Sequence, residues 1–180
     1  TNQSGHGLRL HGSETNVDVL KCAVKECGGS GMWVYDGATV TATQCECMEN
    51  RVCGVESDAN TKARLNDCNM HHNGWHGVYA YDEGTLVELR GEQTEIHHNG
   101  NYGLFALSNA TINIYIPSRS ITALVHDHGE EDDLYTFMGG KIQSQISSSS
   151  LELTVLQEAP PASDDEDEEN AKKSVDSAEL

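Results

Sequence analysis

A sequence motif that recurs about every two dozen residues constrains this chain more than any other feature. Glycines mark the repeat at positions 7, 31, 54, 77 and 103, at intervals of 24, 23, 23 and 26 residues. One such unit cannot bury its own apolar face, whereas stacked units can. The repeat therefore predicts a solenoid. The apolar residues that directly follow the glycines are Leu8, Met32, Val55, Val78 and Leu104.

Apolar residues within a unit are spaced two apart, as in Met32 and Val34, which is the periodicity of a β-strand. Three short strands per unit, separated by turns, place equivalent residues on adjacent parallel strands about 4.8 Å apart. A connection between parallel neighbours is right-handed. The sequence predicts an all-β, right-handed parallel β-helix solenoid of about five to six coils over residues 1–145. Three extra residues around Arg90-Gly91-Glu92 predict a bulging turn.

The repeated pattern resembles right-handed parallel β-helix repeats, the fold of pectin-lyase-like proteins. The resemblance is carried by the glycine and apolar columns and by asparagines at positions 50, 73 and 99. Similar repeats occur in non-enzymatic modules, including those attached to F-box proteins, and in large proteins of unicellular eukaryotes. The resemblance implies the fold and says little about activity, because one fold hosts many functions.

The C-terminal part departs from the repeat. We expect one irregular final coil, with a strand near Ile121–Val125, a loop, and a strand near Lys141–Gln145. The loop is rich in histidine and acidic residues, but their spacing matches no closed metal motif, so a solvated loop is expected. Residues 146–157 are expected to form a linker or a short capping strand. The acidic residues 158–180 are expected to form a disordered tail.

The chain carries a formal net charge of −18, of which residues 151–180 contribute −8. An acidic body repels phosphate backbones and anionic lipid surfaces, which argues against nucleic acid and membrane partners. We expect a carbohydrate or protein partner, and a chain that is either part of a longer protein or monomeric.

A column of asparagines has a structural interpretation. Asn50, Asn73 and Asn99 predict a ladder at a turn, because asparagine tolerates the left-handed backbone conformation and its amide bonds the amides above and below.

The cysteines predict a second column, in which Cys22, Cys45 and Cys68 point inward, with Cys47 in the next inward column. Buried free thiols are favoured over disulfides and over metal binding. Unpaired thiols and the acidic tail favour an intracellular location, and an extracellular one stays open.

Histidines recur at equivalent positions of adjacent coils, as His71 and His97 and as His72 and His98. Imidazoles on adjacent coils could bind a transition metal or respond to pH. The alternative is a solvated turn copied by repeat duplication. The spacing fixes no third ligand, so neither a metal site nor a cofactor is predicted.

Aromatic and acidic residues dominate the outward positions after each glycine. Aromatic rings on a flat sheet can stack on sugar rings, and a large exposed apolar face marks an interaction site. The alternative is cross-strand stacking that stiffens the sheet. Glu56 and Asp58 could also act as paired acids or calcium ligands. The candidate binding residues are Trp33, Tyr35, Glu56, Asp58, Tyr79, Tyr81 and Phe105.

One short string, Ser4-Gly5-His6-Gly7, resembles an element of galacturonan-cleaving β-helix hydrolases. Those enzymes also need aspartates before it and a basic R-I-K element after it, and this sequence has neither. No catalytic residue is predicted. The sequence favours a non-catalytic scaffold or recognition module over two alternatives: a truncated or divergent carbohydrate-active lyase or hydrolase, and a purely structural segment of a longer β-helix.

Overall fold

A computed structural model describes residues 5–116, 120–129 and 133–144, which form three parallel β-sheets wound into one column. The elements, in chain order, are β1 (Leu8–His11), β2 (Asn16–Leu20), β3 (Ala23–Lys25), β4 (Met32–Tyr35), β5 (Thr39–Thr43), β6 (Glu46–Met48), β7 (Val55–Ser57), β8 (Lys62–Asn66), β9 (Asn69–His71), β10 (Val78–Tyr81), β11 (Leu86–Arg90), β12 (Glu95–His97), β13 (Leu104–Leu107), β14 (Thr111–Tyr115), α1 (Ile121–Leu124), β15 (Val125–His126), β16 (Leu134–Phe137) and β17 (Lys141–Ser144).

Every third strand joins the same sheet. Sheet 1 has the order β1-β4-β7-β10-β13-β16, sheet 2 has β2-β5-β8-β11-β14-β17, and sheet 3 has β3-β6-β9-β12-β15. The strands β1 to β12 make four regular coils of three strands each. A fifth coil contains α1, and β16 and β17 begin a sixth level, so the regular part is slightly shorter than the five to six coils predicted.

The interior holds the predicted apolar columns. In sheet 1, Met32, Val55, Val78 and Leu104 pair in register and are at most 1% exposed. A corresponding column in sheet 3 runs from Val24 through Cys47, Met70 and Ile96 to Val125. The predicted parallel β-solenoid is therefore confirmed.

The far end differs from its prediction. Ile121–Leu124 is a single turn of helix, not a strand, because the Ser120 side chain accepts a hydrogen bond from the Ala123 amide and caps the turn. A strand that the sequence did not predict, β16, pairs with β13. The strand near Lys141–Gln145 is confirmed over Lys141–Ser144. The linker and tail assigned to residues 146–180 lie outside the described residues.

The asparagine ladder is present. The Asn50 side-chain amide donates to Oδ1 of Asn73, and the Asn73 amide donates to Oδ1 of Asn99, both at 2.9 Å. The residue with the left-handed backbone is the one before each asparagine, for example His72 with φ of 54° and His98 with φ of 53°. The asparagines therefore serve through their amides, and the expected left-handed backbone at the asparagines was wrong.

All six cysteines fall in the described residues and all are free. Cys45 and Cys68 are buried in the predicted column, with each thiol donating to backbone carbonyls. Cys22 occupies the same column in the first coil and is exposed. The prediction of buried thiols is thus confirmed for the inner coils and wrong for Cys22.

The predicted bulge also forms. The turn between β11 and β12 spans residues 91–94, whereas the preceding turn of the same kind spans only residues 67–68. Gly91 has φ of +84°, and a Cβ there would lie 2.2 Å from Oδ1 of Asp67. Glycine is needed at this turn for both reasons. In the described part of the chain, no helix is long and apolar enough to cross a bilayer.

Candidate functional site

The outward side chains of sheet 1 form two columns, which together we call the outer face. The pairing register places the predicted residues side by side, because alternate residues of a strand point to opposite faces. The first column is Arg9, Trp33, Glu56, Tyr79, Phe105 and Tyr135. The second column contains His11 and Tyr35, then Asp58 directly after β7, then Tyr81, Leu107 and Phe137.

The N-terminal end of the outer face carries a stacked aromatic pair. The rings of Trp33 and Tyr35 lie 4.3 Å apart with an interplanar angle of 19°. The Arg9 guanidinium lies 4.7 Å from the Trp33 ring and 5.1 Å from the Tyr35 ring, within cation–π range. His11 stacks on Tyr35 at 5.3 Å.

The next level is acidic. The Ser30 hydroxyl donates to a Glu56 oxygen at 2.5 Å, and the Trp33 indole donates to an Asp58 oxygen at 3.0 Å. Burial raises the pKa of Glu56 to about 7, against the hydrogen bond from Ser30. Burial, together with the charges of Asp82 and Asp36, raises the pKa of Asp58, although the Trp33 hydrogen bond opposes this.

A second aromatic group follows the acidic level. Tyr79 and Tyr81 stack at 5.9 Å, and Tyr79 lies 5.1 Å from Phe105. Phe105 in turn lies 5.2 Å from Tyr135. Tyr79 is only 9% exposed, whereas Tyr81 and Phe105 are half-buried and open to solvent.

A third set of side chains packs against part of the outer face and was not predicted from the sequence. These residues immediately precede the repeat glycines and so recur at the same interval, which is the signal that could have revealed them. They fold from the turns after sheet 3 onto the outward residues of sheet 1; for example, Tyr102 stacks on Tyr135 at 4.5 Å. The set is His6, Ser30, Cys53, His76 and Tyr102.

His76 has no exposed surface, like Ser30 and Cys53 of this set. Its Nδ1 accepts a hydrogen bond from the Tyr102 amide at 3.2 Å, and its Nε2 has no partner among the described residues. Burial lowers the pKa of His76 to about 3, so the ring is neutral at physiological pH. Its ring contacts Tyr79 at 5.5 Å and Phe105 at 5.1 Å, so it packs as a support for the aromatic rings.

His6 has a comparable role. Its Nδ1 accepts a hydrogen bond from the Ser30 amide at 3.1 Å, and its ring lies 4.6 Å from Trp33. Burial and the charge of Arg9 lower the pKa of His6. The histidine of the hydrolase-like string thus supports a turn and an aromatic ring.

The structure brings all seven predicted binding residues onto one face, in the predicted order. It does not leave them equally open, because Asp58 and Tyr79 are at most 9% exposed, whereas the other five are half-buried. Their role in binding stays a prediction. In the ranges that the structure describes, no three histidine, cysteine or acidic side chains converge as the ligands of a metal ion.

Comparison with known proteins identifies the family. A family model for the right-handed β-helix region matches residues 1–118. Neither the search of curated proteins nor the search of solved structures gave a significant match. The matched segment contains the four regular coils and the asparagine ladder described above, and the chain belongs to the right-handed β-helix family.

Proposed function

We propose that this β-helix is a non-catalytic recognition module that binds neutral carbohydrate on the outer face of sheet 1. The observation that carries the proposal is the in-register column of outward rings and carboxylates across six parallel strands. A scaffold of stacked coils holds these groups at fixed spacing, so little ordering is needed when a ligand binds.

The rings suit sugar recognition. The half-buried rings of Tyr35 and Tyr81 belong to the same column, on either side of the level that holds Asp58. An aromatic ring offers a flat apolar surface, and a carboxylate accepts hydrogen bonds from hydroxyl groups. Asp36 and Asp82, in the turns directly after these strands, add acceptors at the border of the face.

The negative charge of the chain favours neutral over acidic glycans as ligands. The chain carries −18 overall, and within the described residues of the outer face Arg9 supplies the positive charge, over Trp33 and Tyr35. Uronic acid or sulfated polysaccharides would be repelled by this surface. A neutral glycan would not.

A glycan array probed with the full chain tests the proposal. Tyr35→Ala and Tyr81→Ala should each weaken binding to a retained neutral glycan by about tenfold, because a stacked aromatic contact contributes roughly 1 kcal/mol or more. Tyr115→Ala is the matched control, since Tyr115 is an outward, half-buried aromatic on sheet 2. Equal loss in all three variants, or no loss in the first two, contradicts the assignment.

A protein partner with a basic segment is the second candidate. Asp36, Asp58 and Asp82 lie close enough that the first and last of these charges raise the pKa of Asp58. Such a row of acids beside exposed rings also suits lysine or arginine side chains, through ion pairs and cation–π contacts. Binding to arginine-rich peptides that weakens steeply with added salt would favour this candidate. If neither glycans nor peptides bind, the module is a structural segment.

The alternative of a divergent lyase or hydrolase makes a different prediction. Incubation with pectic polysaccharides would then release unsaturated or reducing ends. We expect no release, because the two carboxylates that would flank a bond each accept a hydrogen bond from a neighbouring side chain: Glu56 from Ser30, and Asp58 from Trp33.

A further inference from the structure

Two columns of imidazole rings run along the outside of sheet 3, away from the outer face of sheet 1. His71, His97 and His126 pair in register on β9, β12 and β15. Their rings are nearly parallel, at 4.9 Å for the first pair and 5.5 Å for the second. Beside them, His72 and His98 stack at 5.0 Å with an interplanar angle of 1°.

Within each coil the two neighbouring histidine rings point their Nδ1 atoms at each other. The Nδ1 atoms of His71 and His72 lie 2.8 Å apart, and those of His97 and His98 lie 2.7 Å apart. His72 and His98 have left-handed backbones, with φ of 54° and 53°. The same contact therefore forms twice, on adjacent coils.

This separation matches a chelating pair. A metal ion with bonds of about 2.0–2.1 Å holds two nitrogens at right angles about 2.9 Å apart, as in tetragonal or octahedral coordination. In the metal-free protein, one Nδ1 carries the hydrogen that bonds the other. A metal ion would take the place of that hydrogen, which moves to Nε2 of the same ring as the neutral imidazole changes tautomer.

A carboxylate already fixes one of these rings. Nε2 of His71 lies 2.9 Å from Oε1 of Glu46. A carboxylate only accepts, so Nε2 carries the hydrogen and the Nδ1 lone pair of neutral His71 faces His72. A carboxylate behind the distal ring nitrogen is the usual support of a metal-binding histidine.

We propose that the facing Nδ1 atoms of His71 with His72, and of His97 with His98, are two chelating sites for divalent transition metal ions such as Ni²⁺ or Cu²⁺, with water completing the coordination. One ion cannot take all four nitrogens, because trans ligands lie about 4.2 Å apart and the coils are 4.9–5.0 Å apart. Pairs rather than triples of ligands agree with the lack of three converging ligands among the described residues.

The next coil does not provide a third chelating pair, because His126 is there followed by Asp127 and not by a second histidine. His126 contacts Asp127 at 2.8 Å through Nδ1 and Glu95 at 3.0 Å through Nε2. Hydrogen bonds to Asp127 and Glu95 raise the pKa of His126, so this ring holds its proton more strongly than an ordinary imidazole. An ion there would have to displace that proton.

Isothermal titration with NiCl₂ tests the proposal on the full chain in a Cys22→Ser background, which removes the exposed thiol. The His72→Gln/His98→Gln double variant should bind Ni²⁺ at least about tenfold more weakly, since each chelate loses one nitrogen. Glu26, Glu49 and Asp127 occupy the same left-handed position in other coils, so a polar side chain is tolerated there. His11→Gln, at an exposed histidine outside the array, should bind as the parent does.

A second arm varies pH. Nickel binding should disappear between pH 7.5 and pH 5, because protonated imidazoles are not ligands. Three outcomes overturn the proposal: no Ni²⁺ binding to the parent chain at millimolar concentration, unchanged binding in the double variant, and full affinity at pH 5, which would place the ion on carboxylates.

Discussion

The inner face of sheet 1 and its outer face are built on the same strands, yet they differ in what decides their burial. Inside, Val55 and Val78 are at most 1% exposed because each coil covers the next. Outside, Tyr79 is 9% exposed and Asp58 is 8% exposed, although both lie on the face that points away from the core. These outward side chains are buried by residues of the turns and by their neighbours on the face, not by packing inside the coils.

The difference separates burial that is set within one strand from burial that is set by contacts between coils. Alternation along a strand decides the inward residues, and that rule is local. Coverage of the outer face depends on contacts between residues 25 or 26 positions apart, such as Ser30 with Glu56 and Trp33 with Asp58. A charge or an amide should therefore have very different effects on the two faces.

Placing a charge inside should have the largest effect. Val78→Asp puts a carboxylate in the interior column with no partner, and we expect a loss of about 4 kcal/mol or more in the free energy of unfolding. Urea unfolding followed by circular dichroism measures it.

Thr41→Asp is the matched control for this prediction. Thr41 points outward on β5 and lies in register between Asp18 on β2 and Arg64 on β8, so an aspartate there meets one like and one opposite charge. The same aspartate there should change the free energy of unfolding by no more than about 0.5 kcal/mol. If the two variants unfold at the same urea concentration, the assignment of inner and outer faces is wrong.

Removing a rung of the asparagine ladder should have the next largest effect. Asn73 accepts from the backbone and side chain of Asn50 and donates to Oδ1 of Asn99 and to the carbonyl of Cys47. Asn73→Ala removes all four of these buried hydrogen bonds and should cost about 2–4 kcal/mol.

Asn69→Ala provides the comparison within the same coil. The Asn69 side chain is half-buried, and its Oδ1 accepts no hydrogen bond within the described residues. We expect a loss below about 1 kcal/mol in the same urea experiment. A larger loss for Asn69 than for Asn73 would show that the ladder amides contribute little.

Much of the fold follows from the sequence, because local rules set it. The column of Met32 and Val78 and the ladder at Asn73 arise from spacing that repeats coil by coil, and the bulge at Gly91 arises where extra residues interrupt that spacing. The helical turn at Ile121–Leu124 was missed because one serine cap outweighed an apolar run that looked like a strand.

The candidate site was predictable only in part. Sequence spacing placed Trp33 and Tyr81 on one face, but it did not show that the turns would cover Glu56. The facing Nδ1 atoms of His71 and His72 could not be foreseen either, because they depend on a left-handed backbone at His72.

Neutralising the covered carboxylate should have a moderate, pH-dependent effect. Burial raises the pKa of Glu56 to about 7, above its usual value of 4.5. The folded state therefore binds the proton more tightly, and the native chain loses stability as pH rises from about 4.5 to about 7. Glu56→Gln should be about 1–2 kcal/mol more stable than the parent at pH 8 and nearly equal to it at pH 4.5, by urea unfolding at each pH.

Glu88 on sheet 2 should show the opposite dependence of stability on pH. Burial alone would raise its pKa, but hydrogen bonds from Arg64 and Arg90 outweigh burial and lower it. The stabilisation is present above pH 4.5 and is lost as pH falls through the lowered pKa. Glu88→Gln should therefore destabilise the chain at pH 8. The same pH response in both variants would contradict the assigned environments.

The rate at which each thiol reacts should distinguish the exposed Cys22 from the buried Cys68 in the same column. The substitution that tests this should have almost no effect on stability. Cys22 is exposed, whereas burial raises the pKa of Cys68 to about 11. The thiolate is the reactive form, so at pH 8 the buried Cys68 should react much more slowly than the exposed Cys22. A thiol-reactive chromogenic disulfide should show one fast thiol in the native chain, and Cys22→Ser should remove that phase while changing the free energy of unfolding by less than about 0.5 kcal/mol. Cys27 is half-buried, so the decisive variant is Cys22→Ser/Cys27→Ser. A fast phase that survives in this double variant would mean that an inner thiol is open to solvent, and the coil stack would then be looser than the buried columns indicate.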